Sequence, residues 1–208
     1  MNIFVVNMND FVPCLPSMNG LQRQQARHLV FQKFCQKYGY GELSWCCPTC
    51  GKNDHGVPRG KGLSISTSTV EHWSALAIDR AGARFGFDLS PRRAPPEASG
   101  IANDLFSPSE QQLQPKQGWL YGSTFSEIWV RKEALGKMHG IGLMLDKPGE
   151  EGGILDSEKN PCETQFIMLN HSHGIPNQLI GCIATESKHS NENLNVKQLK
   201  SDMLIQTK

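Results

Sequence analysis

Three strand-forming runs, residues 63–69, 73–79 and 84–89, follow one another with no stretch between them long enough for a helix. The turn signals between the last two are Arg80, Ala81 and Gly82. A doubly wound parallel sheet alternates strand with helix, and no such alternation is obligatory here. Helical patterns lie on either side of the strand cluster instead. Residues 21–38 place Leu21, Leu29, Val30, Phe31, Phe34 and Cys35 at helical spacing, closed by Gly39 and Gly41. Residues 124–140 do the same with Phe125, Ile128, Trp129, Ala134, Leu135 and Met138. The expected class is α+β.

Further elements complete the pattern. Residues 2–8 read as a short buried strand, and residues 164–169 and 178–185 as two more, separated by the turn-rich His171-Ser172-His173-Gly174. Phe106-Ser107-Pro108-Ser109-Glu110 reads as a helix start, with a serine cap, a proline in the first turn and an acid near the positive helix end. Residues 44–61, punctuated by Pro48, Gly51, Gly56, Pro58 and Gly60, read as a loop. Pro91, Pro95, Pro96 and Gly100 mark a hinge, which divides the chain into an N-terminal half, residues 1–92, and a C-terminal half, residues 93–208. The polar tail after about residue 188 is expected to fray or to form a short outer helix.

Composition narrows the classes of function. Against 20 acidic residues stand 21 basic ones, a net charge of +1 that argues against a nucleic-acid-wrapping protein and makes any anion site local. No apolar run approaches the roughly 20 residues of a spanning helix, and the start MNIFVVNMND lacks the flanks of a signal peptide. A cytoplasmic monomer is expected. The seven cysteines then read as reduced thiols, with Cys14, Cys35, Cys162 and Cys182 behaving as small hydrophobes. Cys46, Cys47 and Cys50 with His55 hold one CxxC and a histidine, short of the four well-spaced ligands of a closed zinc site.

Two constellations carry chemistry. Period-two geometry puts Asp88 and Ser90 on one face of the strand that ends Phe87-Asp88-Leu89-Ser90, although an aspartate before a proline is also an ordinary turn former. Trp129, Glu133 and Lys137 fall four apart on one helical face, a spacing that equally describes a solvated ion pair. There is no nucleophile elbow, no GxxxxGKT phosphate loop and no GxGxxG after a strand.

Taken in order, HGVP at 55–58, LSISTS at 63–68, FGFDLS at 85–90, FSPSE at 106–110 and FSEIWVRKEALGKMHGIGL at 125–143 resemble the 4′-phosphopantetheinyl transferases, in particular the pseudo-dimeric type that activates surfactin synthetase. The last segment matches the family pattern F-x-x-x-W-x-x-K-E-A-x-x-K-x-x-G-x-G-L at every fixed position. The resemblance spans roughly residues 20–187 and implies two similar α+β halves related by a pseudo-twofold axis, with the active site in the cleft between them. It implies Mg²⁺ held by Asp88 and Glu133, and coenzyme A as co-substrate, whose phosphates would meet Lys137, Ser66, Thr67, Ser68, Arg59, Lys61, Arg23 and Arg27. The partner it implies is an apo acyl or peptidyl carrier protein, whose serine Glu133 would deprotonate. Three positions depart from the family: Thr67 stands where a histidine is usual, Ser90 where a glutamate is common, and Val57 where HGKP has lysine. A relative that binds coenzyme A or a carrier protein without turnover is the alternative expectation.

Overall fold

The computed structural model describes residues 1–46, 51, 57–140, 164–186 and 194–200. Along the chain run β1 (Asn2–Asn7), α1 (Met8–Phe11), α2 (Gly20–Lys37), β2 (Ser44–Cys46), β3 (Val57–Arg59), β4 (Ser64–Val70), β5 (Trp73–Asp79) and β6 (Phe85–Pro91). Then follow α3 (Ala98–Leu105), α4 (Pro108–Gln111), α5 (Thr124–His139), β7 (Gln165–Leu169), β8 (Leu179–Thr185) and β9 (Asn195–Leu199). The class is α+β, and the strands fall into two compact units, Met1–Gly82 with Leu194–Lys208, and Ala83–Asn193.

The first unit is a sheet in the order β4-β5-β1-β9. Period two sends Phe4, Val6, Leu76 and Ile78 to one face, where they pack with Val30, Phe31, Phe34 and Cys35 of α2. The helix begins at a reciprocal cap: Asn19 Oδ1 accepts from Gln22 N at 2.9 Å while Gln22 Oε1 accepts from Asn19 N at 2.9 Å.

Residues 44–61 are not all loop. β2 and β3 pair antiparallel, Ser44 opposite Arg59 and Trp45 opposite Pro58. Trp45 is buried and stacks on His28 of α2 with ring centroids 4.2 Å apart, so aromatic packing holds a segment whose punctuation reads as loop. Pro58 is tolerated because β3 belongs to a two-stranded ribbon. The tail departs from expectation too: β9 pairs in parallel with β1, Asn2 opposite Asn195 through Val6 opposite Leu199. Main-chain pairing and one buried side chain, Leu199, order a strand that its polar composition hides.

In the second unit β6, β8 and β7 form an antiparallel sheet in that order. The Arg80–Gly82 turn therefore carries the chain from one sheet to another. β6 belongs to the second unit. Residues 98–105 of the Pro/Gly-rich stretch form α3, with Ala98 and Ala102 fully buried beside Phe106, Trp119, Phe125 and Ile128. Proline just ahead of a helix does not oppose it, which is why the composition break conceals this one. Ser107 and Glu110 form the expected cap of α4, the Glu110 carboxylate accepting from Ser107 N at 2.8 Å.

Among the cysteines, Cys35 and Cys182 are buried, the Cys35 thiol being pushed up to about 12 by burial, whereas Cys14 is exposed and not part of a core. Cys47, Cys50, His55 and Cys162 lie outside the described residues, as do residues 141–143 of the long motif. No helix among the described residues is long and apolar enough to cross a membrane.

Candidate active site

The site is built where β6 and α5 meet. Gly86, Asp88 and Ser90 alternate on the face of β6 that α5 covers, while Phe85, Phe87 and Leu89 point the other way. Their cross-strand partners Ala184, Cys182 and Ile180 lie on that same face and pack with Val130, Ala134, Leu135 and Met138 of α5. An aspartate on such a face would be a buried charge without compensation unless the helix answered it. It does: Lys137 Nζ donates to Asp88 Oδ1 at 2.6 Å. The Asp88 side chain is 7% exposed and that of Lys137 30%, so the pair opens to solvent on the lysine side.

Glu133 lies one turn before Lys137. Burial, and then the nearby charge of Asp88, raise its carboxyl above the usual carboxylate range, with Lys137 pulling the other way. Two carboxylates and a lysine thus share one electrostatic field. Ser90, also buried, adds a hydroxyl to the face that carries Asp88.

Close approach of strand and helix makes this possible, and Gly86 makes the approach possible. A Cβ on Gly86 would stand 1.9 Å from Ala134 O and 2.4 Å from Met138 N, inside van der Waals contact with α5 backbone. The helix is also held at its end. Arg84 Nε donates to Met138 O at 3.0 Å, and Gly140 adopts φ 73° to close the last turn. Sequence reading assigned no role to Gly86, although a lone glycine inside a strand is itself the signal for close backbone approach.

Lys132, adjacent to Glu133, turns into the protein and pairs with Glu110, its Nζ donating at 3.0 and 3.4 Å to the two carboxylate oxygens. Both side chains are withdrawn from water, at 2% and 0% exposure. The capping motif at Ser107 marks Glu110 in the sequence, but nothing there marks its second partner.

The remaining expected site residues lie in the first unit. Ser66 and Ser68 are buried on the sheet face opposite α2, and Thr67 points to the other face, so period two separates the three hydroxyls. Arg59 and Lys61 are exposed around the end of β3. Arg23 and Arg27, one turn apart on α2, line a cavity of about 280 Å³ with Met8, Asn9, His72 and Ser74. Arg23 donates to Met18 O at 2.9 Å and Pro16 O at 3.0 Å, and burial together with Arg23 lowers the Arg27 guanidinium below its ordinary value.

Among the described residues no three His, Cys, Asp or Glu side chains cluster as a metal cage. Asp88 and Glu133 nevertheless offer the hard oxygen donors that Mg²⁺ takes in ones or twos, with water filling its other positions.

One buried carboxylate, Asp88, is answered by Lys137 across the strand–helix contact, with the half-buried Glu133 one turn away on the same helix. Residues 84–171, which contain all of these side chains, match the family model of the 4′-phosphopantetheinyl transferase superfamily, a stretch shorter than half of the chain. No curated protein matches the chain significantly.

Proposed function

We propose that this protein transfers the 4′-phosphopantetheine arm of coenzyme A to a serine of an apo acyl or peptidyl carrier protein, releasing adenosine 3′,5′-bisphosphate. The observation that carries the reading is the Asp88–Lys137 contact of 2.6 Å beside a Glu133 whose carboxyl is raised, all within the matched segment.

In the transfer, the serine oxygen bonds to the phosphorus that carries the pantetheine arm, and the bond from that phosphorus to the oxygen of the departing nucleotide breaks. Glu133 is the group proposed to take the serine proton. Lys137 is released from Asp88 to meet phosphate oxygens as a compact point charge. Asp88 and Glu133 would hold Mg²⁺, which when bound offsets the charge of the pyrophosphate. Ser66 and Ser68 share one face of the first sheet while Thr67, Arg23 and Arg27 lie on the α2 side, so these residues do not form a single phosphate-binding cluster; Arg59 and Lys61 are kept as proposed contacts of coenzyme A.

Ser90 and Thr67, in place of the family's glutamate and histidine, favour a second reading, binding of coenzyme A or a carrier protein without turnover. Mass spectrometry of an apo carrier protein incubated with the protein, coenzyme A and Mg²⁺ separates the two. Transfer predicts a mass gain of one phosphopantetheine, while binding with no gain supports the second.

A further inference from the structure

The Glu110–Lys132 pair takes no part in the chemistry above, yet it is buried and Lys132 directly precedes Glu133 on α5. Withdrawing two charges from water is costly, and a pair of this kind is often no more stable than apolar side chains of the same volume. Its value is geometric. Lys132 fastens α5 to the capped turn of α4 through two contacts of 3.0 and 3.4 Å, and Glu110 is itself fixed by accepting from Ser107 N at 2.8 Å. At another angle around the same helix, Ala134 and Met138 rest on Gly86. The ion pair is the charged contact among several packed sides of α5, and the one that joins it to the capped turn of α4.

Rotation matters because α5 carries the reactive groups at its rim. With side-chain tips about 5–6 Å from the axis, a rotation of about 20° would carry the Glu133 carboxylate by about 2 Å. Misplacement by about 1 Å is enough to lower a rate by about a hundredfold.

We propose that Glu110 and Lys132 are positioning residues, a buried ion pair that sets the rotation of α5 and so aims Glu133 and Lys137 at Asp88. The proposal rests on the transferase reading for its effect on rate, but not for its effect on geometry.

Two variants test it. Glu110→Asp keeps both charges and draws the anchor back by one methylene, and Glu110→Gln with Lys132→Met removes the charges at similar volume while keeping an acceptor for Ser107 N. Each is assayed for kcat and for KM of coenzyme A, for its unfolding midpoint, and by NMR for the Lys137 ammonium signal, assigned by its loss in Lys137→Met. The expected result is a kcat lowered about 10- to 100-fold, a KM within about threefold, an unfolding midpoint within a few degrees of the parent, and a displaced Lys137 signal. Unchanged kcat with an unmoved Lys137 signal in folded Glu110→Asp would overturn the proposal. So would a rate loss that follows the unfolded fraction and vanishes on cooling, which would make the pair merely structural. Should the double variant fail to fold, Glu110→Asp alone decides. If the parent protein transfers nothing, the functional reading fails, while a displaced Lys137 signal in Glu110→Asp still supports the positioning role.

Discussion

At the scale of single residues, the proposed site rests on Asp88, Glu133 and Lys137, and its two carboxylates each make a prediction. If the proposed transfer holds, Asp88→Ala and Glu133→Ala should each lower it by about a hundredfold or more, since each would remove a carboxylate assigned to offset charge at the phosphate or to take the serine proton. The check is a carrier-loading rate with a circular dichroism spectrum showing an intact fold, and near-parental rates would remove the residue from the site. Ser90→Glu adds a carboxylate on the face of Asp88 and should lower the Mg²⁺ concentration that gives half-maximal rate. A higher or unchanged concentration would count against that placement.

His28 offers a test away from the chemistry. Burial, and then Arg27, lower its imidazole to about 4 from 6.5, so the fold prefers the neutral ring stacked on Trp45. Because the folded value lies below the unfolded one, this contribution to stability is present above pH 6.5 and lost as pH falls towards about 4. His28→Phe, which keeps a stacking ring without a titrating group, should lose less stability than the parent across that window. Unfolding midpoints of both proteins between pH 7 and 4 supply the comparison, and parallel curves would contradict it.

At the scale of elements, the contact of β6 with α5 decides whether the site exists. Gly86→Ala would put a methyl group where Ala134 O and Met138 N already stand, so strand and helix must separate. Overpacking of this kind costs about 3 kcal/mol, and the separation should also stretch the Asp88–Lys137 contact. The expected outcome is a lower unfolding midpoint together with a transfer loss that persists at temperatures where the variant is folded. A variant as stable as the parent would show that the contact is looser than described. Legibility differed by element for identifiable reasons. β5, a short mostly apolar run from Trp73 to Asp79, and α5, capped by Gly140, carry their own pattern and stop signals. β2, β3 and α3 do not, because they are ordered by what they pack against, Trp45 on His28 and Ala98 and Ala102 among aromatic rings.

At the scale of the whole molecule, the path of the chain is the unexpected feature. The second unit, Ala83–Asn193, is inserted between β5 and β9, both strands of the first sheet. Ending the chain after Asn193 should remove the parallel partner of β1 and the buried Leu199, exposing core of the first unit. Hydrogen exchange should then quicken in β1 and β5 while β6 and β8 keep their protection; equal protection in β1 would show that β9 is dispensable.

Sequence alone determined what local pattern can encode: the α+β class, the long helices, the capped turn at Ser107, and the placing of Asp88 beside Ser90 and of Glu133 before Lys137. Those signals need only neighbours in the chain, since hydrophobic period, caps and turn residues act over a few positions. Tertiary structure decided the rest. It alone joined Asp88 to Lys137, turned Lys132 inward onto Glu110, required Gly86 to lack a side chain, and made a strand of the polar tail. Each of these is a contact between residues distant in sequence, and its free energy comes from burial and from main-chain pairing that no single segment possesses.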